Sequence, residues 1–261
     1  MRRLSFLAAV VLPAASLAII PNYGPDTFFT GVGQLGGASC VAVSSHWVIT
    51  ARHVGGTSVN FGGNVFNAAQ RFDHDEADIA LLRFDVNLGV PTYGIDFSNP
   101  LGRTATLVGF GGTGDAGATG VILTGGGGVR RSAENVIDRA NNVTFDNIDF
   151  FDSWEYDLDG PTGNGTLGGS ALAREGGLWF GDSGGAWLVD NGGSWNLVGV
   201  NSYIDDGNNN GEFNNWGDLG GGVALKSYQG WINSHMAVPE PGTLAALSLG
   251  VLAFVRRRRK R

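Results

Sequence analysis

The chain is 261 residues long, 43% apolar, with 44 glycines, a single cysteine and a formal net charge of −7. That length and apolar content support a sizeable buried core, while one cysteine rules out any intrachain disulfide. The acidic balance excludes the basic footprint of a nucleic-acid-binding protein and works against adhesion to anionic lipid.

The two ends are set apart from the body. Arg2 and Arg3, the apolar run 4–12 and Ser16-Leu17-Ala18 have the order of a secretory signal peptide over residues 1–18, so cleavage would start the chain at Ile19. At the other end Pro239-Glu240-Pro241 precedes an apolar run, 243–255, and the basic block 256–261. This fits a membrane segment whose positive end stays in the cytoplasm. Its 13 residues fall short of the roughly 20 of a permanent span. Transient insertion fits better than an ordinary tail anchor. The tail resembles the PEP-CTERM sorting signal of Gram-negative bacteria. That resemblance implies handling and cleavage by exosortase-type sorting machinery, with delivery to the cell surface or beyond. Without its ends, the segment 19–237 keeps 9 basic and 23 acidic residues, a net charge of −14.

The body alternates short β-branched or aromatic runs with Gly, Asn and Asp turns, the pattern of an all-β sandwich or barrels. Strands are predicted at 39–44, 47–50, 58–61, 78–84, 104–110, 143–150, 185–189 and 196–203. One helix is predicted from Leu225, Tyr228, Trp231 and Ile232, which recur at helical spacing. The Gly-rich segment 111–128 reads as a linker between two halves, about 27–112 and 120–235, and 152–169 reads as a long polar loop.

Three stretches carry chemistry. Trp47-Val48-Ile49-Thr50-Ala51-Arg52-His53 ends an apolar strand on a histidine, the usual general base near neutral pH. A histidine there serves structure as readily as catalysis. Asp78 opens the apolar run Asp78-Ile79-Ala80-Leu81-Leu82, so its carboxylate is partly buried and needs a partner, whether an imidazole N–H or a turn. Gly181-Asp182-Ser183-Gly184-Gly185 places a serine among glycines, where backbone amides can converge on an oxyanion.

Taken together, these stretches resemble the trypsin-like (chymotrypsin-fold) serine proteases in residue order as well as in motif. A fourth match is Leu197-Val198-Gly199-Val200-Asn201-Ser202-Tyr203. The resemblance implies two six-stranded antiparallel β-barrels with the site between them and a C-terminal helix. It implies a serine endopeptidase acting on protein or peptide, with no cofactor and no metal. Ser183 would be the nucleophile, His53 the base and Asp78 its orienting group. The amides of Gly181 and Ser183 would form the oxyanion hole. Ser202 and Tyr203 would lie on the substrate-binding strand. Asp182 would take an ion pair from a freed N-terminus, which Ile19 supplies if signal cleavage also activates the enzyme.

The chain also departs from that pattern. Ala38 and Val54 stand at the usual half-cystine positions, leaving Cys40 a small buried residue, and Ala186 replaces a proline after the glycine pair. Gly177, six residues before Ser183, leaves the floor of the specificity pocket uncharged. With Ile204 and Gly222 as walls, small or medium apolar P1 side chains are expected. Asp206, Asn208, Asn210 and Gly211 copy the start of a calcium loop but lack its final glutamate, so a solvated acidic turn is the stronger reading. His46, His74 and His235 read as surface residues. An α/β-hydrolase esterase using Ser183, Asp218 and His235 would need parallel strands and helices that the pattern lacks. The rival from another class is a surface binding or adhesion module that keeps the protease fold without turnover.

Overall fold

The structure is a computed structural model, and it describes residues 19–145, 148–163, 165–207 and 209–237. The predicted signal peptide and the sorting tail lie outside the described residues. No helix among the described residues is long and apolar enough to cross a membrane.

Among the described residues, seventeen strands and one α-helix follow in chain order. The first group is β1 (Val32–Leu35), β2 (Ala38–Ser44), β3 (Trp47–Thr50), β4 (Ser58–Phe61), β5 (Asn64–Asn67), β6 (Gln70–Asp73) and β7 (Ala80–Arg83). Their antiparallel order is β5-β4-β1-β2-β3-β7-β6. The two edge strands, β5 and β6, are neighbours in sequence, separated only by Ala68 and Ala69. Ala68 N–H donates to Thr57 on one edge and Ala69 N–H to Arg83 on the other, so one bent strand serves both edges. Counting it once gives a closed six-stranded barrel, and closure removes the exposed edges that an open sheet would leave.

The second half repeats the device. After β8 (Gly94–Ile95) come β9 (Thr104–Gly109), β10 (Thr113–Ala116), β11 (Val121–Gly125), β12 (Arg131–Val136), β13 (Arg139–Phe145) and β14 (Ile148–Asp157). The last three are β15 (Ala186–Asp190), β16 (Trp195–Asp205) and β17 (Leu219–Ala224). The order is β12-β9-β15-β16-β17-β14-β13, with β8 added parallel to the start of β16. The edges β12 and β13 are again consecutive. Ile137 N–H donates to Arg103 and Asp138 N–H to Glu155, handing the chain from one edge to the other. The fold is therefore all-β, two six-stranded antiparallel barrels in which each sixth strand is bent.

Apolar alternation fills both barrels. Val41, Ile49 and Leu81 are fully buried in the first, and Leu107, Trp187 and Val198 in the second. Each such side chain contributes roughly 1.5–3 kcal/mol on leaving water. Cys40 is buried, and burial pushes its thiol pKa up. A 3₁₀ turn (Leu225–Tyr228) leads into helix α1 (Gln229–Met236). This helix leaves the second barrel and packs on the first: Trp231 and Tyr228 meet the His74 ring, and His235 meets Phe72.

Several sequence expectations need correcting. The segment 111–128 is no plain linker, because β10 and β11 pair in it as a separate two-stranded ribbon. That ribbon grips the N-terminal segment: Asn22 N–H donates to Gly114, and the Thr113 hydroxyl to Ile19. The strand expected at 143–150 is instead a hairpin, β13–β14. Strand β14 also runs into what reads as polar loop, since the buried Ser153 bonds Tyr203 and the buried Glu155 bonds Tyr203, Asn141 and Arg139. Hydropathy alone misses a strand whose polar side chains are bonded to one another. His74 and His235 are half-buried in ring contacts, and burial lowers the His74 pKa.

Candidate active site

His53 sits in the turn just after β3, where Val54 N–H closes on Ala51. Strand β3 is buried along its whole length, which fixes where that turn emerges. Asp78 lies two residues before β7, the strand paired with β3, so the two side chains come together although 25 residues apart. The approach to Asp78 is braced by His74, whose Nδ1 accepts the amides of Glu76 and Ala77 at 3.1 Å each. Arg52 donates to the Asp75 carbonyl at 2.6 Å.

Asp78 is fully buried and well supplied with donors. Its Oδ2 lies 2.7 Å from His53 Nδ1 and accepts the Ser202 hydroxyl at 2.5 Å; its Oδ1 accepts the His53 amide at 2.9 Å. With the Asp78 carboxylate accepting at Nδ1, His53 carries its proton there and presents Nε2 as the unprotonated nitrogen. Ser202 reaches Asp78 through a β-bulge. Asn201 pairs with Gly222 and Tyr203 with Gly221, so Ser202 is the extra residue and is re-aimed at the carboxylate.

Ser183 lies in the turn between Gly181 and Gly185. That turn is pinned across the barrel interface by a residue that sequence reasoning missed, Ser39 on β2. Its amide donates to the Ser183 carbonyl at 2.9 Å and its hydroxyl to the Gly181 carbonyl at 3.0 Å, while Thr50 Oγ1 donates to the Ser39 carbonyl at 2.9 Å. A serine at the start of an apolar strand gives no signal of this. Gly184 has φ +81°, and a Cβ there would stand 2.2 Å from both Ser39 O and Thr50 Oγ1. Only glycine lets the two barrels approach this closely. Asn201, buried inside β16, donates to the Asp182 and Val108 carbonyls. An amide within an apolar run is the sequence signal for it.

The peptide planes of the turn orient its amides. The Phe180 carbonyl accepts from Gly112, and the Asp182 carbonyl accepts from Gly185 and Asn201. In a trans peptide the N–H points opposite to the C=O, so the N–H groups of Gly181 and Ser183 turn away from those contacts. Among the described residues neither amide donates to a main-chain oxygen.

A cavity of about 370 Å³ joins these elements, lined by His53, Ser183, Ser202, Tyr203, Ile204 and the apolar side chains Leu178, Trp179, Phe180 and Phe213. Phe180 and Phe213 stand exposed among its lining. Tyr203 is held by Ser153 and Glu155, and burial followed by the Glu155 charge pushes its pKa up. Gly177 lies deeper, in a small cavity of about 10 Å³ shared with Tyr156, Ile204, Phe213 and Asp218. Its N–H and C=O both pair with Ile20, so it ties the N-terminal segment to the pocket wall. Gly222 needs correcting as a pocket wall. A Cβ there would meet Trp187 and the Val200 carbonyl in the barrel interior, whereas Gly220 faces the Tyr156 hydroxyl.

Asp182 points away from the cavity and is fully buried. It accepts the amides of Gly111 and Trp179 at 2.8 Å each, and also the amide of Ile19. Burial pushes its carboxyl up to about 7. The turn at 206–212 differs from a calcium loop in its bonding: Asp206 accepts the amides of Asn210 and Gly211, and Asn208 lies outside the described residues.

Residues 237–260 match the model of the PEP-CTERM protein-sorting motif. The motif implies recognition by exosortase-type machinery and export to the cell envelope of a Gram-negative bacterium. No curated protein matches the chain. Among solved structures, neuropsin, a serine protease expressed in the limbic system of mouse brain, superposes with a TM-score of 0.57 at 18% identity. The match covers 84% of this chain and 100% of that one. The chain thus has the two-barrel fold of the chymotrypsin-like serine proteases and carries a PEP-CTERM sorting motif at its end.

Proposed function

We propose that the chain is an exported serine endopeptidase whose triad is His53, Asp78 and Ser183. The observation that carries this reading is the buried Asp78 carboxylate 2.7 Å from His53 Nδ1, with the same histidine and Ser183 lining one cavity. In the reaction, Ser183 Oγ attacks the scissile carbonyl carbon while His53 Nε2 takes its proton. The amides of Gly181 and Ser183 hold the resulting oxyanion, each worth roughly 3–4 kcal/mol of barrier. The tetrahedral species collapses to an acyl-enzyme, and His53 returns the proton to the leaving amine. Water, activated by the same histidine, then releases the acid. The apolar run 243–255 would insert in the membrane only transiently during sorting.

A fluorophosphonate probe tests the proposal. Labelling is expected at one serine, mapped by peptide mass to Ser183 and absent from Ser183→Ala. A folded chain that does not react would leave a binding module on a protease fold as the surviving reading.

The apolar lining supports a preference for medium-sized apolar P1 side chains. Ile204 and Phe213 line both cavities and separate the pocket from the small space that holds Asp218. A peptide-library profile is expected to favour residues such as Val, Leu or Met. Preferred cleavage after Arg or Lys would mean that a long side chain passes Ile204 and reaches Asp218, and would sink the apolar assignment.

A further inference from the structure

Four carboxylic acids gather on the outside of the second barrel, away from the pocket. Asp157 closes β14 and Asp159 follows two residues later, and a Cβ on Gly165 would touch both carboxylates. Asp138 lies against Asp157, and Glu175 accepts the amides of Asp159 and Leu172 at 3.3 and 3.0 Å. Residues 165–169 lie over Asp157 and Asp159. Asp157 is 1% exposed, Asp159 7% and Glu175 5%. Carboxylates buried to this degree are normally paired with a cation or saturated with donors. Here the strongest charges acting on them are one another's.

Two oxygens stand out. Asp157 Oδ2 accepts the Leu167 amide, and the Gly165 amide offsets part of the burial of Asp159. Yet Oδ1 of Asp157 and Oδ1 of Asp159 are both buried without a hydrogen-bond donor. The two carboxylates are neighbours under Gly165, where a Cβ would stand 2.1 Å from Asp159 Oδ1 and 2.6 Å from Asp157 Oδ2.

We infer that Asp157 and Asp159 form a calcium site, their carboxylates supplying two anionic ligands to one cation beneath residues 165–169. Among the described residues no three His, Cys, Asp or Glu side chains form a ready-made metal cluster. The other ligands are then main-chain carbonyl and water oxygens, a mixture that suits a hard cation taking six to eight oxygens at flexible geometry. The bound charge would relieve the repulsion among the four acids. It would also fix the start of the segment that runs from Glu175 through Gly177 to the pocket wall.

The test uses the full chain. Terbium added alone is expected to give saturable luminescence sensitised by Trp216, whose ring lies against Gly160, the residue after Asp159, and calcium is expected to displace it. Millimolar calcium is expected to raise Tm over chelator by about 5 °C or more. Asp157→Asn combined with Asp159→Asn is expected to abolish both responses and, in chelator, to melt no lower than wild type because repulsion is removed. Asp206→Asn, in the exposed Asn-rich turn, is expected to keep both. Absence of saturable binding in wild type would overturn the site. So would binding that survives the Asp157/Asp159 double variant, or that is lost in Asp206→Asn.

Discussion

Replacing Asp78 with asparagine is expected to lower kcat by about 10⁴-fold while leaving the fold intact and KM nearly unchanged. Three donors converge on this carboxylate: the His53 ring, the His53 amide and the Ser202 hydroxyl. An asparagine can keep its oxygen on the His53 amide, which turns its NH₂ toward His53 Nδ1 and the Ser202 hydroxyl. The hydroxyl rotates to accept. The imidazole has to accept as well, so its proton moves to Nε2, the nitrogen that must take the proton of Ser183. The loss is thus one of tautomer rather than of geometry, and nitrogen-resolved NMR of His53 would show the proton on Nε2. Ser202→Ala removes one donor and keeps the tautomer, so a loss of only about 10–100-fold is expected. If Asp78→Asn turns over peptide at a rate close to wild type, Asp78 is not the orienting group.

The residues of the proposed triad could be picked out because their neighbours are local in sequence. A buried β3 fixes His53, an apolar run fixes Asp78, and glycines flank Ser183. Strand spacing left a sandwich or barrels open and the family resemblance implied two barrels; the bent sixth strands at Ala68-Ala69 and Ile137-Asp138 supply the closure. What stayed hidden depends on pairing across the chain. Ser39 acts on a turn 142 residues away. Gly222 faces Trp187 and the Val200 carbonyl in the barrel interior, a facing set by packing between strands rather than by local sequence. Strand β14 looks polar because its partners lie on other strands, and the same strand ends at the carboxylates of the inferred calcium site.

The remaining large effect concerns Ile19. Its amide reaches Asp182, and its side chain is fully buried in the second barrel beside Ile20. Ile19 also has φ +59°, a conformation that costs a β-branched residue on the order of 1–2 kcal/mol. Cutting the bond before Ile19 removes that torsion and turns an amide donor into an ammonium group against a buried carboxylate. While Ala18 remains attached, burial holds the Asp182 carboxyl at about 7, above the ordinary value near 3.9. A raised carboxyl stabilises the fold in its protonated form. The uncleaved chain is therefore most stable below about pH 4 as far as this group is concerned. It loses on the order of 4 kcal/mol as the pH rises from there to about 7. In the cleaved chain the ammonium compensates the carboxylate, and this loss is replaced by one that sets in only as the amine deprotonates in alkaline solution. Asp182→Asn then has opposite signs in the two forms. At neutral pH it is expected to stabilise the chain that keeps Ala18, by removing an ill-compensated buried charge. It is expected to destabilise the chain that begins at Ile19 by about 3–5 kcal/mol, by leaving the ammonium buried alone. Peptidase activity should follow the ion pair, since the Trp179 amide on Asp182 positions the segment that leads to Gly181. A loss of about 10³-fold is expected either from residues retained before Ile19 or from Asp182→Asn in the cleaved chain. Denaturant unfolding of the two forms at pH 7, with and without the substitution, measures the inversion, and equal signs in both would rule out an Ile19–Asp182 ion pair.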